Sequence, residues 1–226
     1  MKKLVITILC AIFPVIAVAN INLEFDSRGK VISHKAQIDI FDKESIKRGS
    51  KHFADYCMGC HTAKFMRYNR IAKDTGMEDA ELRESMIFTR GDKGKPTKVG
   101  DLMLVAMDED YAKNAFGGAV VPDLTLTARS RGADWLYTYL RTFYVDPYRP
   151  TGANNAQFED VSMPHVLWEL QGLQKAIYVT ENRDGVEVER IERLEIIQAG
   201  SMSAEEYEAF TNDLVNFMVY LAEPVQ

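Results

Sequence analysis

Cys57-Met58-Gly59-Cys60-His61 places two thiols three residues apart with a histidine directly behind them. On a helical turn Cys57 and Cys60 stand at i, i+3, and Cys57 and His61 at i, i+4, so all three share one stripe. Two thiols on one side of a turn can add to the two vinyl groups on one edge of a haem. The adjacent imidazole then meets the iron from one face, which is why Cys-x-x-Cys-His reads as a c-type haem attachment site. A thioredoxin-like redox pair would want a preceding βαβ pattern, and none is visible. A structural zinc site would want more ligands nearby, and no further cysteine follows.

Upstream, Lys2 and Lys3 precede a largely apolar run from Leu4 to Val18, closed by Ala17-Val18-Ala19. A charged start, a short apolar run and small residues at the cleavage positions predict a secretory signal peptide over 1–19. The rival, an uncleaved anchor, would want a longer run. Cys10 follows Leu9 rather than a small residue, so lipoprotein processing is not expected. Cleavage removes Cys10 and leaves Cys57 and Cys60 alone. In an oxidising compartment such a pair must form a disulfide, bind a metal or be used covalently.

The remaining chain is ordinary in composition, with 46% hydrophobic and 27% charged residues in 226. Lys and Arg number 27 against 33 Asp and Glu, a net charge of −6. Loss of the two signal-segment lysines would make it −8. No basic footprint for nucleic acid is present, and three cysteines do not make a disulfide scaffold.

Residues 20–43 read as an extended lead-in. Asp42 can cap a helix over 44–61, with Ile46, Phe53 and Cys57 on one face and Gly49 there permitting close backbone approach. A short helix is predicted over 77–89, a loop over 93–99, and a helix over 134–144 with Trp135, Leu136, Tyr139, Leu140 and Phe143 on one side. A long irregular segment runs from Pro147 to Pro164; loops of such length are usually functional or disordered. Alternation over 175–197 around Asp184-Gly185 predicts a β-hairpin. Ser203 and Glu206 form a capping box that opens a last helix ending before Pro224. That helix carries Glu205, Glu206, Glu208 and Asp213 and is too amphipathic to span a membrane.

A haem iron held by His61 needs a sixth ligand or an open face, and electron carriers use Met or His. Nine methionines remain after Met1, most of them expected to fill core. His165, His52 and His34 are the nitrogen alternatives. Met163-Pro164 stands out because it ends the irregular segment, where a loop can reach over a flat cofactor, and Pro164 stiffens the backbone.

Ile46-Lys47-Arg48-Gly49, Tyr56 to His61, and Lys64-Phe65-Met66-Arg67-Tyr68 together resemble the haem-binding region of the cytochrome c1 family, the haem c subunit of the cytochrome bc1 complex. Val121-Pro122-Asp123-Leu124 with Ala128-Arg129, the helix from Trp135 to Leu140, Ser162-Met163-Pro164 and Leu221-Ala222-Glu223-Pro224 come in the family's order. The resemblance covers about 44–224. It implies a single covalent haem c, Met163 as sixth ligand, Arg129 beside a haem propionate, and Pro122 and Leu124 walling the crevice. The hairpin falls at a variable insertion and is assigned no chemistry. Family members carry a membrane helix after Ala-Glu-Pro. The chain stops at Gln226, so that anchor is expected to be absent from it, by truncation or by loss. Val121 stands where many relatives have a second proline.

The resulting expectation is a mainly α, cytochrome c-like haem domain over 20–226 with a small β-hairpin insertion, on the periplasmic side of the inner membrane. By the resemblance it belongs with cytochrome b and a Rieske iron–sulfur subunit, takes electrons from the latter, and passes them to a soluble cytochrome c. Aromatics such as Phe53, Phe65 and Tyr139 would keep water from the cofactor. The alternatives are a peroxidase-like haem enzyme with an open sixth site and a haem-free binding module with a Cys57–Cys60 disulfide.

Overall fold

A computed structural model describes residues 21–224 apart from 28, 91–93, 106, 108 and 184. The predicted signal peptide, Asp108 and Asp184 lie outside the described residues. In chain order the elements are β1 (Ile21–Asn22), α1 (Lys43–Tyr56), β2 (Ala63–Arg67), α2 (Tyr68–Thr75), α3 (Asp79–Met86), β3 (Leu102–Met103), α4 (Glu109–Ala115), α5 (Thr127–Arg131) and α6 (Ala133–Arg141). Next come β4 (Phe143–Val145), β5 (Ala153–Asn155), α7 (Trp168–Gln171), β6 (Gly172–Arg183), β7 (Val186–Ala199) and α8 (Ala204–Ala222).

The core is organised by the crossing of α1 and α8. Asp42 caps α1 as expected, its side chain accepting from Ser45 N at 3.0 Å. The Ser203–Glu206 capping box opens α8 with both reciprocal bonds in place. Tyr207, Phe210, Leu214, Phe217 and Leu221, at helical spacing along its inner side, are buried. Gly49 sits where the helices cross: a Cβ there would lie 2.0 Å from the Asp213 carbonyl oxygen. Only a residue without a side chain lets the two backbones come this close.

The fold is mainly helical, yet strand is a larger share than a small hairpin implies, 23% of the described residues against 38% helix. The hairpin runs over 172–199 rather than 175–197, and β1 extends it to a sheet of order β1-β7-β6. Its turn falls at Gly185, whose φ of 88° needs glycine. Leu23, Leu194 and Tyr144 make a second small core beneath this sheet. The irregular segment contains β5, which pairs with β4, so Phe143 and Tyr144 leave the predicted helix and become strand. Helix α2 was not expected. Its buried Tyr68, Ile71, Ala72 and Thr75 have helical spacing, but the stretch is only two turns long. Among the described residues no helix is long and apolar enough to cross a membrane.

Candidate functional site

Helix α1 ends at Tyr56, before the Cys-x-x-Cys-His stretch rather than after it. The backbone N–H groups of Cys57 and Met58 both donate to Phe53 O, at 2.9 and 3.0 Å, so the ladder is lost there. The chain then enters a tight turn in which His61 N donates to Cys57 O at 2.9 Å and Cys60 N donates to the same oxygen at 3.1 Å. Cys57 and His61 thus remain bridged across one turn. Both cysteines are free thiols. Burial pushes the Cys57 thiol up to about 12, whereas a thiol poised for exchange or metal binding is shifted down. Tyr68 is fully buried under this turn, and its hydroxyl donates to Met58 Sδ at 3.7 Å.

His61 is 9% exposed. Its Nδ1 lies 2.8 Å from the carbonyl oxygen of Pro122. A carbonyl only accepts, so Nδ1 carries the proton and Nε2 presents a bare lone pair. Burial lowers the His61 pKa, partly offset by that hydrogen bond and by Asp123. The 122–125 segment is itself strapped to the turn. Asp123 Oδ2 accepts from Thr62 Oγ1 at 2.6 Å and from Lys64 N at 2.7 Å, and Leu124 N donates to Thr62 O at 2.8 Å. Pro122 therefore contributes a backbone acceptor, a part the sequence did not suggest for it.

The same stretch of chain runs on through α5 into α6, and there it meets Met163. The Tyr139 hydroxyl donates to Met163 Sδ at 3.3 Å. Met163 packs against the small core of Phe143, Ala153 and Val161. Trp135 stacks on Tyr139 with ring centroids 5.1 Å apart, and Phe143 meets it edge-on, also at 5.1 Å. Burial raises the Tyr139 pKa, so the phenol keeps its proton across the neutral range.

Of the nitrogen alternatives, His165 lies beside Met163, stacked on Phe143 at 5.0 Å, with a buried Nε2 that has no hydrogen-bond partner. Burial holds it neutral, with a pKa down to about 4. His52 rests on Phe210 at the α1–α8 contact, and His34 N is held by Thr138 Oγ1 at 2.7 Å. Of the expected aromatic wall, Phe53 is in the core, Tyr139 faces Met163, and Phe65 is instead exposed.

Arg129 and Arg131 leave α5 in opposite directions, because residues two apart on a helix are about 200° apart. Arg129 is 68% exposed, 3.5 Å from Glu223 at the end of α8, and lines a cleft of about 450 Å³ between α5, α6 and α8. Arg131 lies over the rings of Trp135 and Phe158, at 5.0 and 5.5 Å. Sequence reasoning did not single out Arg131. The signal was the Arg-x-Arg spacing, whose second member falls on the Trp135 side.

Residues 32–226 match the model of the Cytochrome C1 family. The chain is 41% identical over 226 residues to cytochrome c1 of Allochromatium vinosum, covering all of this chain and 86% of that protein. It is 49% identical over 190 residues to the ammonia monooxygenase gamma subunit of Nitrosomonas europaea, covering 84% of this chain and 73% of the relative. The mitochondrial cytochrome c1 heme protein of Kluyveromyces lactis is 27% identical over 155 residues, 61% of this chain and 53% of the relative.

Proposed function

The chain belongs to the cytochrome C1 family, and from that premise we propose that it passes single electrons from a Rieske iron–sulfur subunit to a soluble cytochrome c. It does so beside cytochrome b, in a quinol–cytochrome c reductase on the periplasmic side of the inner membrane. Members of the family carry one covalently bound haem c, and the residues here fit that group. Two free thiols, one imidazole with its Nδ1 engaged and one thioether are the donor set it requires.

Cys57 and Cys60 would hold the group covalently, and His61 and Met163 would ligate its iron. The iron of such a group supplies a one-electron couple. Pro122 O fixes the imidazole plane and tautomer, as a partner on the far nitrogen does for any metal-bound histidine. Trp135, Tyr139 and Phe143 exclude water on the methionine side. Arg131, which lies on the Trp135 side, rather than Arg129 would pair with a carboxylate of the group. No residue is required to move a proton or break a bond.

The observation that carries this reading is the His61–Pro122 hydrogen bond, which fixes the tautomer so that Nε2 presents its lone pair, one turn from Cys57. The protein is to be produced with haem-maturation machinery and extracted with acid–acetone. Colour staying with the protein supports thioether attachment; colour in the solvent refutes it. Met163→Leu is expected to open the iron to cyanide while His165→Ala leaves it closed, and the reverse result assigns the ligand to His165. Rapid cyanide binding to the unsubstituted protein would favour the peroxidase-like alternative.

The 49% identity to a protein named as an ammonia monooxygenase subunit favours a second reading, in which the same haem domain serves such an enzyme. Purification of the tagged chain from its own membranes separates the two. Cytochrome b and a Rieske protein accompany it in the first case, monooxygenase subunits in the second.

A further inference from the structure

The phenol of Tyr139 is confined. Trp135 stacks on one face at an interplanar angle of 9°, Phe143 presses from the side at 68°, and its own backbone is held where Asn155 Nδ2 donates to Tyr139 O at 2.8 Å. In that setting the hydroxyl donates to the Met163 sulfur at 3.3 Å. A thioether is a weak acceptor with two lone pairs, so a partly buried O–H directed at it is an unusual use of a donor. The arrangement has a physical consequence for whatever the other lone pair binds.

We propose that Tyr139 is a positioning residue that occupies one lone pair of Met163 Sδ, orients the other, and weakens the sulfur as an electron donor. This rests on the reading of Met163 as the sixth ligand. The positive end of the O–H dipole sits beside the sulfur, in surroundings of low polarity where such a dipole acts strongly. It opposes the extra positive charge of the oxidised site more than it affects the reduced site. Hydrogen bonds to ligands are one of the means by which a protein sets a haem potential. Tyr139 therefore raises the potential and makes the sulfur easier to displace from the oxidised site. A purely structural tyrosine would do neither, because Phe fills the same volume.

The test uses the haem-loaded protein and three variants: Tyr139→Phe, Met163→Leu and both together. Reduction potential is read by optical titration, and displacement of the sulfur by added imidazole in the oxidised state. Tyr139→Phe is expected to keep the low-spin spectrum, shift the potential downward and weaken imidazole binding. In the Met163→Leu background, adding Tyr139→Phe is expected to change neither quantity, since the two residues act as one unit. If Met163→Leu removes the methionine-ligated spectrum but Tyr139→Phe leaves potential and imidazole binding unchanged, the Tyr139 proposal is overturned and the ligand assignment stands. If Met163→Leu leaves that spectrum intact, the ligand assignment falls and Tyr139 falls with it. An upward shift in Tyr139→Phe also overturns the proposal.

Discussion

His61 Nδ1 and the Pro122 carbonyl oxygen stand 2.8 Å apart, although 61 residues separate them in the chain. The bond involves backbone, so no side-chain exchange at 122 removes the acceptor. It is held in place indirectly, by the three hydrogen bonds that Thr62 and Lys64 make with Asp123 and Leu124 next door. Asp123 is thus the side chain through which the His61 environment can be perturbed.

Asp123→Ala removes an acceptor for Thr62 Oγ1 and Lys64 N, and hydrogen bonds to a charged group contribute roughly 1.5–3 kcal/mol. A loss of about 2 kcal/mol is expected in denaturant unfolding at pH 7. Burial pushes the Asp123 carboxyl up, but the bonds from Thr62, Lys64 and Thr125 outweigh it and hold the group below its ordinary value. Its stabilisation is therefore fully present above the unfolded carboxylate pKa of about 3.9. It is lost as pH falls through the lower folded value. Unfolding curves of the two proteins should converge as pH falls below the ordinary carboxylate range; a gap that stays constant with pH would show that the carboxylate charge contributes nothing.

Arg131→Ala is expected to lower the reduction potential, because removing a nearby positive charge favours the oxidised state. Arg129→Ala is expected to leave it unchanged, since that side chain faces Glu223 whereas Arg131 lies over Trp135 and Phe158. Potentiometric titration of both variants decides between them. The opposite pattern would return the carboxylate partnership to Arg129.

Gly49→Ala places a methyl group 2.0 Å from the Asp213 carbonyl oxygen and 2.8 Å from Phe217 Cβ. The obstacle is helix backbone, so α1 and α8 must separate. Overpacking of this kind costs about 1–3 kcal/mol. At this chain size the melting temperature should fall by roughly 2–4 °C for each kcal/mol. A melting temperature equal to the unsubstituted protein would mean the crossing is looser than the structure has it.

Acidic groups at 78–84 and 108–110 suggest docking of a basic partner, but Glu81 is committed to Lys47 and Lys51, each at 2.8 Å. The field of the first cluster is thereby reduced. Oxidation of the reduced protein by a basic cytochrome c should slow as ionic strength rises, since salt screens long-range attraction. Replacing Asp108, Glu109 and Asp110 by lysine should flatten that dependence if this cluster lies near the docking face. A rate insensitive to salt in the unsubstituted protein would rule out acidic docking.

The haem-attachment motif, both helix caps, the hairpin turn and the close approach at Gly49 were legible in the chain itself. Each depends on residues within about four positions, or on the lack of a side chain at one position, and local spacing encodes both. Helix α1 stopping short of the motif was not legible, because periodicity carries through Cys57 while the hydrogen-bond ladder breaks at Phe53. Nor was the choice between Arg129 and Arg131: both are arginines on one short helix, and only the placement of Glu223, Trp135 and Phe158 gives each its side. The same holds for Pro122, for which the family resemblance implies a wall and which in three dimensions offers a carbonyl to His61. Residue types and short-range spacing determined which groups the chain brings to the site. Long-range packing, which joins position 61 to 122 and 139 to 163, decided how each is aimed.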